Sequence, residues 1–291
     1  MAELRRRILA GDIGKVLSIQ FTETLDRFHG ADYFRRWHRF MENSAGLMVH
    51  KASHHFDIIN WLADSLPVTA TGQGRLSFYG AKGPFRGTRC SDCPHTADCP
   101  FYADVFKSER NQILYKAPEV LDGYFRDGCV FDSRINIPDT VAATISYEND
   151  VIASYALIAY ASYESMRIAV EGTKGRLEYF KRYGTSWAVG HAGKENEVSL
   201  ANDGEDVDDS RQFMFFLPHE ESIEHVPEIK VAGGHGGSDP QLREFLFGDV
   251  AHEDPLNQKA PLEDGIQAVL VGLAINESIA DGGMAVSVQG S

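Results

Sequence analysis

Cysteine is scarce in this sequence: 4 residues of 291, all between positions 90 and 129. That scarcity excludes a disulfide-stapled scaffold, which needs far denser cysteine. Long apolar runs are lacking too. No stretch approaches the roughly 20 apolar residues of a bilayer span. The opening MAELRRRILAGDIG has neither the apolar centre nor the small-residue cleavage site of a secretory signal. The expectation is therefore a cytoplasmic, unanchored protein with no membrane partner. Cations are in deficit, 28 Lys and Arg against 42 Asp and Glu, for a net charge of -14. A phosphate backbone would be repelled at long range, so nucleic acid is not an expected partner. Part of the acid surplus sits in NDGEDVDD (202–209), which lacks calcium-loop spacing and reads as a solvated loop. Finally, no strand is followed by GxGxxG and a helix, there is no Walker-type loop, and no repeat of solenoid length is visible.

What is present is 43% hydrophobic residues in a chain long enough to bury a sizeable core. GKVLSIQFTETLD (14–26) alternates apolar and polar residues, as a strand with one buried face does. A turn and short helix follow, then a helix over 44–64 opened by Ser44 and stopped before Pro67, then a strand over 67–80. Between 83 and 137 the pattern breaks into a loop-rich insertion holding every cysteine, with a short helix near YADVFKSER. From Asp139 the chain reads as strands: 140–150, 151–161 and 165–180 with a turn at Gly172–Gly175, then weaker candidates near 185–190 and 211–217. Short connections favour antiparallel meanders. GGHGGSDP (233–240) reads as a turn with Ser238 or Asp239 capping a helix that has Pro240 in its first turn. A helix over about 262–281 and a terminal strand MAVSV close the chain. The expected fold is α+β: one domain with an open, largely antiparallel, mixed sheet and helices packed on one face.

The helix over 44–64 carries GLMVHKASHHFDIINWLAD. At 100° per residue, His50, His54 and Asp57 share a stripe about 60° wide. Lys51 and His55 occupy the next stripe, and Leu47, Phe56, Ile59 and Leu62 supply apolar contacts. Such a helix suits the lining of a cavity. His54 can trade a proton with a substrate hydroxyl, Asp57 can orient it, and His50 or Lys51 can hold substrate or share the proton. Packing histidines, or a zinc site on HxxxH without the HExxH glutamate, are the other readings. RRWHR (35–39) places Trp37, His38 and Arg39 as an aromatic and cationic lining for a polyol or acid, or as packing residues. Likewise His235 and Asp239 either point into the same pocket or serve a glycine-rich turn and helix cap.

GDIGKVLSIQF, RRWHR, AGLMVHKASHHFDIINWL, EGTKGRLE and GGHGGSDPQLREFL resemble, in order, the C-terminal domain of the glucose-fructose oxidoreductase, inositol dehydrogenase and rhizopine-catabolism family (Gfo/Idh/MocA). The likeness covers nearly the whole chain outside the cysteine segment. It implies a substrate domain that works beside an NAD- or NADP-binding domain, and homo-oligomers formed through the open sheet face. The family motif GGxxxDxGxHxxD falls on Ala45, Gly46, His50, Ala52, His54 and Asp57, with His54 at the catalytic histidine. His50 stands where many members have aspartate, so their proton relay does not carry over unchanged. The dinucleotide domain and the lysine of the EKP motif would lie before Met1. The expected activity is oxidation of a sugar, polyol or sugar-derived acid. The alternatives are a non-enzymatic binding or oligomerisation module, and NAD-linked glycosidase or lyase chemistry on the same fold.

Cys90-x2-Cys93-x5-Cys99 with Cys129 supplies four sulfurs. In a reducing compartment this favours a structural zinc site over disulfides, with free thiols or an iron-sulfur cluster as alternatives. Beside Cys129, Tyr124 and Arg126 become candidate substrate contacts.

Overall fold

The alternation of residues 14–26 becomes β1 (Val16–Asp26), with Ile19, Phe21, Glu23 and Leu25 pointing into the core. The computed structural model describes residues 1–182, 211–216, 223–225, 234–248 and 253–289. Ahead of β1 lies α1 (Ala2–Leu9). Asp26 ends the strand and caps α2 (Arg27–Arg35), its carboxylate accepting from the Phe28 and His29 backbone N–H groups at 2.9 and 2.8 Å. Such a cap satisfies donors that a helix start otherwise leaves unpaired. Gly30 lets α2 lie against the sheet, because a Cβ there would stand 1.7 Å from the Ala159 carbonyl oxygen.

A short 3-10 turn (Trp37–Arg39) leads to α3 (Met41–Ser44), α4 (Gly46–His50) and α5 (Ser53–Ala63). The single helix expected over 44–64 is thus three pieces. Ala45 takes a left-handed conformation (φ 53°) and separates the first two. The second break falls at Lys51–Ala52, whose N–H groups both reach the Leu47 carbonyl, at 3.0 and 2.8 Å. Ser44 still works at the junction, its hydroxyl accepting from the Gly46 N–H at 3.0 Å.

The sheet continues with β2 (Pro67–Arg75), β3 (Thr140–Tyr147), β4 (Ile152–Ala161), β5 (Ser165–Gly172), β6 (Arg176–Arg182), β7 (Arg211–Phe216), β8 (Ile223–His225) and β9 (Val286–Ser287). Among the described residues it has nine strands in the order β8-β7-β6-β5-β1-β4-β3-β2-β9. Every pairing is antiparallel except β1 with β4. The sheet is therefore open and mixed, with helices on one face, as expected, but the plain meander is corrected: β1 is inserted between β4 and β5. The expected strand near 185–190 and the acidic stretch 202–209 lie outside the described residues.

The segment between β2 and β3 adds no strand to the sheet. It carries 3-10 turns (Gly80–Lys82, Val105–Lys107), α6 (Glu109–Asn111), a wider turn (Gln112–Lys116) and α7 (Glu119–Asp122). Asp139 ties down its start by accepting the N–H groups of Ser77, Phe78 and Tyr79 at 2.7 to 3.0 Å. After the sheet come α8 (Gly234–Phe247) and α9 (Leu262–Ala280). The expected cap at Ser238 or Asp239 is corrected, since α8 starts at Gly234 and holds Pro240 in its interior. A proline ring there presses on the carbonyl four residues earlier, which is Gly236, where the missing side chain leaves the backbone room to adjust.

The core lies between sheet and helices. Phe56, Ile59 and Leu62 of α5, and Val271 and Ile275 of α9, cover Ile19, Phe21, Ile145 and Leu157, all at most 1% exposed. Among the described residues no helix is long and apolar enough to cross a membrane.

Candidate active site

The break in the helix re-aims the side chains that follow it. With Gly46 (φ 69°) and Ala45 turning the chain, α4 delivers His50 to an aromatic wall built by α2 and the 3-10 turn. The His50 ring lies 4.1 Å from that of His38, 5.2 Å from Trp37 and 5.8 Å from Tyr33. His38 is 4% exposed and its Nδ1 has no partner. Burial, then the neighbouring His50 and Arg36, push His38 down to about 3. Burial also lowers His50, with Arg36 and Lys51 adding to the effect.

His54 follows the second break. Its ring packs edge-on against His55 at 4.3 Å and keeps an exposed edge. Burial of the rest of the ring, then Lys51 and His50, push it down to about 4. Among the described residues its nitrogens have no hydrogen-bond partner, so at neutral pH it is an uncharged imidazole with a free acceptor. Lys51 turns inward, 3.8 Å from the Glu23 carboxylate.

Glu23 is the residue sequence reasoning missed. It is 1% exposed, and burial pushes it up to about 8 although Lys51 pulls the other way. His55, fully buried, bridges Glu23 (3.9 Å from Nε2) and the Tyr155 hydroxyl (2.9 Å from Nδ1). Glu164, also missed, holds His29 at 3.0 Å. For His29, burial lowers the pKa, but the bond to Glu164 outweighs it and the net shift is upward. One signal was present: in SIQFTETL, Glu23 falls in phase with Ile19, Phe21 and Leu25, where alternation calls for apolar side chains.

The rim is cationic. Arg36 and Arg126 both bind Asp32, at 2.9 and 2.8 Å. Burial disfavours the Asp32 carboxylate, but Arg126 and then Arg36 outweigh it and hold Asp32 below the usual range. Tyr124 stands beside Arg36 and shares with Trp37 and Arg39 the lining of a cleft of about 320 Å³.

Of the residues singled out from sequence, the structure brings together His50, His54, Lys51, Trp37, His38, Tyr124 and Arg126, with Arg39 in the adjoining cleft. Asp57 follows one turn after His54 on α5. It makes no hydrogen bond to His54, and burial and then Asp264 of α9 raise its pKa. Asp239 is partly exposed on α8, and the side chain of His235 lies outside the described residues. Chemically, the arrangement offers a neutral proton acceptor, a cation beside it, and an aromatic wall suited to the apolar face of a sugar ring.

The zinc expectation is not supported. Cys90, Cys93, Cys99 and Cys129 are free and line one narrow cavity of about 10 Å³. Yet among the described residues no group of three or more His, Cys, Asp or Glu side chains is placed to hold a metal ion. The sulfurs accept N–H groups instead: Arg35 Nη1 reaches Cys90 at 3.0 Å, His95 N reaches Cys93 at 3.4 Å, and the Gly87 and Phe131 amides reach Cys129. Burial raises the Cys90 and Cys99 thiols.

The profile of an oxidoreductase family's C-terminal alpha/beta domain, that of Gfo/Idh/MocA, matches residues 5–288. YteT of Bacillus subtilis (strain 168), named as a provisional oxidoreductase, is 31% identical over 301 residues, covering 96% of this chain and 64% of YteT. This chain thus spans about two thirds of that relative. Levoglucosan dehydrogenase, solved with NADH and levoglucosan, superposes with a TM-score of 0.58 at 14% identity, over 99% of this chain and 63% of its own. An NAD binding oxidoreductase from Klebsiella pneumoniae gives a TM-score of 0.60 at 11% identity, over 99% and 63%.

Proposed function

The chain belongs to the Gfo/Idh/MocA oxidoreductase family, whose C-terminal alpha/beta domain it carries, and from that premise we propose that it is the substrate-binding and proton-handling part of an NAD(P)-dependent dehydrogenase acting on a sugar, polyol or sugar-derived acid. The observation that carries this reading is His54. Its imidazole stays neutral beside Lys51 and unpartnered among the described residues, and His50 and the aromatic wall stand one short turn away.

The residues present fit the substrate side of such a reaction. A nicotinamide, when bound, takes the hydride from the carbinol carbon. His54 takes the hydroxyl proton, which leaves as the C–O bond gains double-bond character, and gives it up when the reaction runs in reverse. Lys51 lies beside His54 and offers positive charge to the oxygen as it loses its proton. Glu23, below Lys51, limits where that ammonium group can sit. Trp37 and His50 present ring faces to the substrate with His38 packed behind them, and Tyr124 and Arg126 border the opening. Asp57, one turn after His54 on α5, orients His54 through a change of side-chain rotamer when substrate binds. The far face of the sheet, with Thr22, Thr71, Thr144 and Ser154 along a trough of about 490 Å³, is the surface for self-association.

The test is NAD(P)H formation from a panel of sugars and polyols by this chain joined to a dinucleotide-binding domain. His54→Asn is expected to lower kcat roughly 100-fold or more, the usual loss for a positioned acid/base. Substrate binding, followed by calorimetry, should change little. An unchanged kcat removes His54 from the proton transfer, and no NAD(P)-linked oxidation of any substrate in the panel removes the dehydrogenase reading.

A further inference from the structure

The cleft of about 320 Å³ that continues from the aromatic wall is built unlike the wall itself. Three guanidinium groups line it, from Arg36, Arg39 and Arg134, together with Trp37, Tyr124 and Phe125. In a chain of net charge -14 such a concentration is unexpected from composition. The carboxylates in reach do not use it up. Asp32 is shared between Arg36 and Arg126, and Asp132 between Arg39 and Arg134. Asp122, at the rim, accepts the Tyr124 backbone N–H. Deeper in, Arg89 holds both Glu119 and Asp127.

Arg39 has the most capacity left. Its side chain is 10% exposed, yet its contacts are long: 3.4 Å to the Cys129 carbonyl and 3.6 Å to Asp132. Of its five N–H donors, few are satisfied at ordinary distances. Among the described residues the buried Nε of Arg36 has no hydrogen-bond partner. Desolvated guanidinium groups with unused donors match an oxyanion, which accepts two parallel hydrogen bonds from such a fork.

We propose that this cleft is an oxyanion subsite, and that the sugar handled at His54 carries a carboxylate or phosphate which Arg36, Arg39 and Arg134 receive. The inference rests on the dehydrogenase reading for its sugar and adds the chemical class. Binding of the anion at one end and packing of the ring on Trp37 would fix which carbinol faces His54. A neutral sugar would leave the spare donors of Arg36 and Arg39 unused and lose that positioning.

The experiment is calorimetric titration of the chain with glucuronate, glucose 6-phosphate and glucose at matched ionic strength, for the wild type and for Arg39→Gln and Arg134→Gln. Glucuronate or glucose 6-phosphate is expected to bind at least tenfold more tightly than glucose, and whichever is preferred tells carboxylate from phosphate. Each substitution should cut that preference about tenfold while leaving glucose binding unchanged. Arg134 is largely exposed (side chain 62%), so its replacement leaves the fold intact even where that of Arg39 does not. Equal affinity for all three compounds, or a preference unmoved in Arg134→Gln with Arg39→Gln folded and equally unmoved, overturns the subsite. The two readings fail separately. NAD(P)-linked oxidation of neutral sugars without anion preference removes the subsite and keeps the dehydrogenase; anion preference with no oxidation of any sugar does the reverse.

Discussion

Glu23 occupies a place that the alternation of β1 assigns to an apolar side chain, and its titration follows from that. Its unfolded pKa is ordinary for a carboxylate, and its folded value is about 8. The folded protein therefore holds a proton that the unfolded chain has released, so this contribution to stability is complete below about pH 4.5 and is lost as pH rises through 8. His54 and His38 act in the other direction. With folded values near 4 and 3, their contribution is present above about pH 6.5 and is lost on acidification. Between pH 6.5 and 8.5 the carboxylate is thus isolated from both of them, and the raised His29 is a common background in the comparison. Urea midpoints of the wild type are expected to fall across that window, and those of Glu23→Gln to fall less; parallel curves would show that Glu23 ionises normally. His54, His50, His38 and Trp37 were legible in sequence because their types announce chemistry. Glu23 was not, because a lone carboxylate in a strand reads as a solvent-facing residue until its phase is checked, and Glu164 was not, because it lies in the turn between β4 and β5.

The helical elements show how a one-residue irregularity redistributes a site. Residues 44–64 have the periodicity of one continuous helix, and on that helix His50 would share the stripe of His54 and Asp57. Each residue out of helical conformation shifts everything after it by about 100°, and the breaks at Ala45 and Lys51–Ala52 take His50 off that stripe, while Asp57 keeps its place on α5 one turn after His54, within electrostatic reach of Asp264 of α9. Nothing in local propensity announces this, since alanine is a strong helix former and left-handed alanine is held only by its surroundings. Gly30 shows the converse, a small residue whose purpose appears only once α2 meets β4. Two backbone segments approach there, and neither can yield as a side-chain tip could. Gly30→Ala is expected to destabilise the protein by roughly 1–3 kcal/mol, the usual range for overpacking. Because α2 carries Tyr33 and leads into Arg36 and Trp37, substrate affinity should fall with it. A thermal midpoint equal to the wild type would mean that α2 lifts off the sheet at no cost.

At the scale of the whole molecule, the strands of this fold other than β8 were legible one by one, and their order was not. Hairpin lengths identify β5 with β6 and β3 with β4, but the insertion of β1 between β4 and β5, parallel to β4, depends on contacts more than 120 residues apart in sequence. That insertion has a consequence for assembly. It places β1, β4, β3 and β2 side by side with their helix-free face lined by threonine, serine and alanine, small side chains that let another flat surface approach closely. Leu17 and Ile152 add apolar area at the strand starts, each about half exposed. A surface that broad, with no charged residue among the trough residues, is what a symmetric sheet-to-sheet contact needs. In light scattering the wild type is expected at a multiple of the single-chain mass. Thr144→Arg, which sets a charge in the middle of the trough, is expected at the single-chain mass with its thermal midpoint lowered, because dissociation removes stabilisation by association. A wild type already at the single-chain mass would assign the trough to another partner, and a Thr144→Arg assembly of unchanged size would place the contact elsewhere on the surface.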